Sequence, residues 1–200
     1  MPRRLLTVSV ALLVVASAAA CEKPSNGYAA KVGTEVISEQ SLNDWMDVIH
    51  ASPTLQQTII GQQVNASALE GTAPHTYAMQ YADYVLGVLV QAQLVKGEFE
   101  KQGLKGDAAT AQGVQTQLMP TVEAELKKAG VDVPPGLAQE LTDLLVQQPA
   151  VIAKLGDNVQ QWAQDQFGRD DIEVNAKYGS WSAAGGVNPP TGPLAAPAGT

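Results

Sequence analysis

The sequence predicts a mainly α protein in which a helical body is inserted between a short N-terminal β-hairpin and a C-terminal strand that pair in a small sheet. Three observations lead there. Two β-prone runs, Ala29-Ala30-Lys31-Val32 and Glu35-Val36-Ile37-Ser38, flank Gly33-Thr34, the pattern of a tight hairpin. The long middle of the chain carries apolar residues at helical spacing, first clearly at Leu42, Trp45, Met46 and Ile49. Near the end, Ile172, Val174 and Ala176 alternate with Glu173, Asn175 and Lys177, as in a half-buried strand. A hairpin this small is not stable alone. The closing strand is therefore expected to pair with it, around Val32 to Ile37.

Composition narrows the function. The formal net charge is −8, and it becomes more negative by two if Arg3 and Arg4 are removed with a leader. An acidic chain lacks the basic surface that a nucleic-acid partner needs to replace counterions. It also lacks the charge for electrostatic docking to anionic lipid. Cys21 is the single cysteine, so no disulfide forms within the chain and packing alone must hold the fold. With two histidines and no second cysteine, a thiolate zinc site is excluded.

Taken in order, the chain opens with Arg3-Arg4, then the uncharged apolar run Leu5 to Val15, then the small residues Ala16 to Ala20, and then Cys21. This is the three-part form of an export signal. The apolar run is shorter than the roughly 20 residues that span a bilayer. Cys21 at the end of the small-residue run resembles the lipobox of bacterial lipoproteins, which implies acylation of its thiol and cleavage before it. Ala18 stands where that family most often has Leu. The other reading is a plain secretory signal with an incidental cysteine. The flanking residues do not complete a twin-arginine motif around Arg3-Arg4, and the export route stays open.

Residues 1–20 are thus expected to be a lipoprotein signal peptide and 21–27 a polar tether. Ser38 is the expected N-cap of the first helix, which Pro53 ends. Thr54 to Leu69 is a weaker helical pattern broken by Gly61 and Asn65, and Glu70 to His75 reads as a loop. Thr76 to Leu104 is the longest periodic segment. It is apolar nearly all round from Val85 to Val90, which marks the buried axis of a bundle. Asp107 caps a helix that Pro120 must kink or split and that ends at Lys127, Lys128 and Gly130. Gly136 to Gln148 is a further helix, and Pro149 is expected to start the next one, ending at Gly168. From Ser182 to Thr200 the chain is Gly, Pro and Ala with almost no large apolar residue. That segment is expected to be a disordered tail.

Two blocks resemble a known family. The first is Ala30-Lys31-Val32-Gly33-Thr34-Glu35-Val36-Ile37-Ser38 with the Leu42/Trp45 helix. The second is Ile172-Glu173-Val174-Asn175-Ala176-Lys177-Tyr178-Gly179-Ser180-Trp181. Together they resemble the N-terminal domain of the SurA chaperone family, related to PrsA-like foldases and trigger factor, here over residues 28–181. The segment between the blocks matches only in being helical. The resemblance implies a chaperone-like holdase that binds unfolded exported polypeptides without ATP. The family's long members carry a parvulin isomerase domain, which nothing here encodes, so isomerase activity is not implied.

No nucleophile elbow, phosphate loop or dinucleotide fingerprint is present. No cofactor and no metal site are expected, and the chain is not expected to be an enzyme. His50 and His75 have no second ligand at helical spacing and read as solvated or locally bonded. The stripe Tyr77, Tyr81 and Tyr84 has two readings: core packing along the long helix, or the rim of a groove holding extended peptide. Trp162 and Trp181 are expected to anchor strand-to-helix packing. The resulting expectation is a lipid-anchored protein on the extracytoplasmic face of the bacterial cell membrane, its partners unfolded or nascent exported chains. The competing expectation is a non-catalytic envelope lipoprotein that docks one dedicated folded partner. Cys21→Ser decides the anchor. The variant is expected in the medium rather than in the membrane fraction, and retention in the membrane would contradict lipidation at Cys21.

Overall fold

The computed structural model describes residues 27–61 and 77–190. The expected signal peptide, Cys21, the expected tether before Gly27, the expected loop Glu70 to His75 and the residues from 191 onward lie outside the described residues.

The sheet forms as its sequence patterns predict. Strand β1 (Tyr28–Val32) pairs antiparallel with β2 (Glu35–Ser38) across the Gly33-Thr34 turn, and on its other side with β3 (Ile172–Val174). The order is β2-β1-β3. Val32 stands opposite Ile172 and Ala30 opposite Val174. The Gly33 amide extends the pairing by donating to the Asp171 carbonyl at 3.0 Å. On the exposed face, Glu173 accepts from the Tyr28 hydroxyl and pairs with Lys31 Nζ at 3.1 Å.

Helix α1 (Glu39–Ala51) starts where Ser38 accepts the Ser41 amide at 3.0 Å. It buries Leu42, Trp45, Met46, Val48 and Ile49. Ser52 then ends α1 and caps the short α2 (Pro53–Leu55), with Pro53 in its first turn. A π-helical turn, Gln56–Ile60, follows. Glu125, from a later helix, ties this corner down by accepting from the Ser52 and Thr54 hydroxyls at 2.5 and 2.8 Å. Burial pushes the Glu125 carboxyl up, but these bonds outweigh it and leave it below the usual carboxylate range.

Helix α3 (Met79–Lys101) is the axis of the body, burying Tyr81, Ala82, Val85, Leu86, Gly87, Val90 and Leu94. It packs against α1, against β1 and against the later helix α6 (Leu137–Leu155). An all-round apolar segment is what such a position requires. Helix α4 (Ala108–Gly113) is capped by Asp107, which accepts the Thr110 amide at 2.8 Å. It runs through a π-helical turn, Val114–Leu118, into α5 (Met119–Ala129). The expected break at Pro120 takes this form: the wide turn ends just before Pro120, which sits in the first turn of α5 where an amide is not needed. Among the described residues no helix is long and apolar enough to cross a membrane.

Two boundaries differ from expectation. Helix α6 (Leu137–Leu155) continues through Pro149 instead of ending before it. Its buried residues Leu137, Leu141, Val146 and Val151 lie on both sides of the proline, so burial of one continuous stripe outweighs the lost backbone bond. The break falls at Gly156, after which a short 3-10 turn leads into α7 (Val159–Phe167).

The second difference is the expected tail. Ser180–Ser182 (β4) and Gly186–Asn188 (β5) form an antiparallel hairpin packed along α3. Glycines at the start and in the turn of this hairpin are required by close approach of other groups. Gly179 has φ +115, and a Cβ there would lie 1.9 Å from the Asn188 carbonyl oxygen. Gly185 has φ +88 and leaves no room against the Phe167 ring. Gln91 Nε2 donates to the Gly185 carbonyl at 2.5 Å, and the Trp181 indole donates to the Phe167 carbonyl at 2.9 Å. Phe167 and Trp181 also meet edge to face. Trp181 thus anchors strand to helix as expected.

Asp83 is the least satisfied charge of this core. It is 6% exposed, its Oδ1 has no hydrogen-bond partner among the described residues, and burial pushes its carboxyl up to about 6. The folded state therefore holds a proton that the unfolded chain releases near pH 4. Stability contributed through Asp83 rises as pH falls from about 7 to about 4 and is lost as pH rises through that range. Asp83→Asn is expected to raise unfolding stability by about 1–2 kcal/mol at pH 7 and to change it little near pH 4. Urea melts at the two pH values check this, and an equal effect at both would contradict it.

Candidate functional site

The main concavity follows from how α6 and α7 leave the bundle. Helix α6 packs on α3 along its length. The Gly156 break then turns α7 so that it covers only part of the apolar surface between them. What remains is a groove of about 690 Å³, within the usual range of ligand-binding clefts. Its floor is α3, through Val85, Val88, Leu89 and Val95. One wall is α1 and β2, through Trp45, Ile49, Val36 and Ile37. The facing wall is α6 and α7, through Leu144, Leu145, Val151, Ile152, Trp162 and Phe167. Most residue types lining it are apolar. Two large apolar side chains on its rim stand in solvent: Val36 at 59% and Ile152 at 46% exposure.

Polar residues interrupt this apolar lining: Ser41, Thr58, Gln91, Gln93, Gln147 and Gln148, besides three charged side chains. Lys96 on α3 and Glu140 and Asp143 on α6 are its charged residues. Glu140 accepts the Trp45 indole N–H at 2.8 Å, which fixes the ring against the wall. Asp143 accepts from Gln139 at 2.8 Å. Two groove-lining side chains keep an unpartnered buried polar atom among the described residues, Gln93 Oε1 and Trp162 Nε1. The Trp162 ring nevertheless lies close enough to Glu98 to help hold that carboxylate ionised. Glu98 lies below the usual carboxylate range mainly through its hydrogen bond from Gln102 at 2.7 Å, with Lys101 adding to it. Burial of Glu98 opposes this.

The tyrosine stripe is divided by the structure. Tyr84 lines the groove, its hydroxyl donating to the Ile59 carbonyl at 3.3 Å. Tyr81 does not: it is 1% exposed and donates to the Met46 carbonyl at 2.8 Å. Tyr77 also lies off the groove, between the rings of His50 and Tyr81, with its hydroxyl bonded to Asp47. Burial, reinforced by Asp47, raises the Tyr77 hydroxyl well above its ordinary value. The core reading therefore holds for Tyr81 and Tyr77, and the groove reading is limited to Tyr84. The reason is placement. Helix α3 starts only at Met79, so Tyr77 precedes it, and of the two tyrosines on α3 Tyr81 is turned into the core against α1.

Sequence reasoning missed most of the groove. Val36 is read there only as a hairpin residue, and Trp162 only as a packing anchor. One signal was present: α6 and α7 carry more apolar residues than a single buried stripe uses, with Leu144, Leu145 and Ile152 flanking it. Among the described residues no group of three or more His, Cys, Asp or Glu side chains is placed to hold a metal ion. Cys21 and His75 lie outside the described residues.

Comparison with known proteins adds no relative: no protein-family model matches the chain, and no significant match appears among curated proteins or solved structures.

Proposed function

We propose that this chain is a lipid-anchored, extracytoplasmic holdase that binds unfolded or nascent exported polypeptides in the groove between α1, α3 and α6, without ATP and without prolyl isomerisation. The observation that carries the reading is the open apolar groove with Val36 and Ile152 exposed on its rim. A folded domain does not leave such side chains in solvent along a cleft without cost. A partner that covers them gains about 25 cal/mol for each Å² of apolar surface removed from water. The leader ending at Cys21 supports placement on the outer face of the membrane. The two sequence blocks that resemble the SurA N-terminal domain, around Val32 to Ile37 and Ile172 to Trp181, support a chaperone role.

The geometry suits that task. Strand β1 begins at Tyr28, seven positions after Cys21. Acylation of Cys21 keeps the sheet within about 25 Å of the bilayer, given roughly 3.3 Å per extended residue. The helical body and its groove then face chains emerging at the membrane. Apolar residues make up most of the groove lining, and apolar contacts tolerate many sequences, so specificity is broad, as befits a binder of many unfolded segments.

The test is suppression of aggregation of a denatured exported protein by the purified full chain in lipid nanodiscs. The wild-type chain is expected to suppress it, and no effect at several-fold excess would sink the proposal. The double variant Val36→Ser/Ile152→Ser removes the two exposed rim contacts. Because both side chains are exposed, the fold is expected to lose less than about 1 kcal/mol. Client binding is expected to weaken about tenfold, the equivalent of roughly 1.4 kcal/mol. Unchanged binding by the double variant would place the client elsewhere. Recovery of one stoichiometric folded partner, with no suppression of aggregation, would instead favour a dedicated docking lipoprotein.

A further inference from the structure

The groove meets the sheet in a particular way. Successive side chains of a strand point to opposite faces. Val36 and Ile37 do so, at 59% and 5% exposure, yet both line the groove. A cavity that touches neighbours of opposite facing touches the strand along its edge. Strand β2 is indeed an outer strand of the β2-β1-β3 sheet.

The hydrogen bonds settle which groups point off that edge. In an antiparallel ladder, alternate residues of a central strand direct their backbone groups to alternate neighbours. The Gly33 amide donates to Asp171 at 3.0 Å, and the Ala29 carbonyl accepts the Asn175 amide at 2.9 Å. Odd-numbered residues of β1 therefore face β3. Lys31 is one of them, and Lys31 stands opposite Val36 in the β1–β2 register. Lys31 thus gives no backbone bond to Val36. The Val36 N–H and C=O point outward, over the groove, and among the described residues no hydrogen bond claims either.

Charge adds a second constraint. Glu35 adjoins Val36, and Glu140 and Asp143 stand on the α6 wall, against Lys96 alone on the floor. None of these four is in an ion pair among the described residues. The groove therefore offers an unclaimed strand edge, apolar walls and a net acidic rim. The turn of the β4–β5 hairpin lies beside Phe167 and Gln91 of the groove.

We propose that the groove takes its client as an added β-strand: an extended apolar segment flanked by Lys or Arg pairs with the outer edge of β2 through Val36 and sets alternate side chains against α1, α3 and α6. This rests on the holdase reading above and specifies its mode of recognition. Backbone pairing is blind to sequence, so it supplies affinity for many clients, while the apolar walls and acidic rim supply the preference. Gln93, with its Oε1 unpartnered among the described residues, gives an acceptor on the groove lining for the incoming backbone.

The experiment measures binding of a fluorescent peptide of alternating Val and Thr, flanked by Lys, to the full chain in lipid nanodiscs. In a strand, the residues whose side chains share a face also share a hydrogen-bonding edge. Two N-methylated peptides are therefore compared, one methylated at the Val positions and one at the Thr positions. One set is expected to weaken binding about tenfold, as loss of one or two backbone hydrogen bonds implies. The other is expected to stay within about twofold of the parent. Replacing the flanking Lys by Glu is expected to weaken binding several-fold at low salt, an effect that added salt erases. If both methylated peptides bind as the parent does, or both weaken equally, one-edge pairing is overturned while the holdase reading stands. If Glu-flanked and Lys-flanked peptides bind alike, the basic preference is overturned. If the parent peptide does not bind at all, the inference and the holdase reading fail together.

Discussion

Everything in this fold depends on the pairing of β1 with β3. The two strands lie about 140 residues apart in the chain, with the whole helical body between them. Closing a loop of that length costs about 4 kcal/mol of chain entropy, from (3/2)RT ln n. Three residue pairs of sheet cannot offset that alone. The closure is instead reinforced along both margins. Asp171, whose carbonyl takes the Gly33 amide, is held by both guanidinium arms of Arg169 at 2.5 and 2.7 Å. Asn175 returns a side-chain bond to the Tyr28 carbonyl at 2.9 Å. Lys177 reaches Glu39 at the start of α1. Tyr178 is buried beneath the sheet, and Trp181 bonds to the end of α7. The segment from Arg169 to Trp181 is thus a continuous clasp joining the first strand, the first helix and the last helix.

That clasp also produces the groove. With both chain ends fixed at the sheet, α3 must cross the body as its axis. Helices α6 and α7 must return from its far end to β3. The Gly156 break lets α7 bend toward Phe167, where the β4–β5 hairpin locks it. The apolar surface of α3 is longer than this return path covers, and the uncovered part is the cleft. Its other wall is the outer edge of β2, which has no neighbouring strand among the described residues. An open edge is a liability in a protein that needs none of it. Here it borders an apolar groove, which is the arrangement expected if the edge is used.

The parts of the structure legible in the sequence are those with local chemistry. The hairpin is written in Gly33-Thr34 and its flanks. The α1 start is written in Ser38, the α4 start in Asp107, and the α5 end in Lys127, Lys128 and Gly130. The alternation from Ile172 to Ala176 marks β3. The parts that were not legible depend on contacts between distant segments. Gly185 falls in the segment that reads as a disordered tail, yet it marks a place where Phe167 comes too close for a side chain. Pro149 reads as a helix start because local propensity puts it there, while the buried stripe from Leu141 to Val151 carries the helix through it. The tyrosines show the limit for the site. Helical spacing groups Tyr77, Tyr81 and Tyr84, but only the placement of α6 and α7 decides that Tyr84 alone meets the cleft.

The central claim is that the cleft between β2, α3 and α6 is where an unfolded chain is held. Amide hydrogen exchange of the full chain in lipid nanodiscs, with and without a permanently unfolded apolar client, tests it most directly. The account predicts slower exchange on client binding in the β2 segment around Val36 and along α6 from Leu144 to Ile152, with α5 unchanged. Protection confined to α5 or to the β4–β5 hairpin, with β2 and α6 exchanging as before, would contradict it.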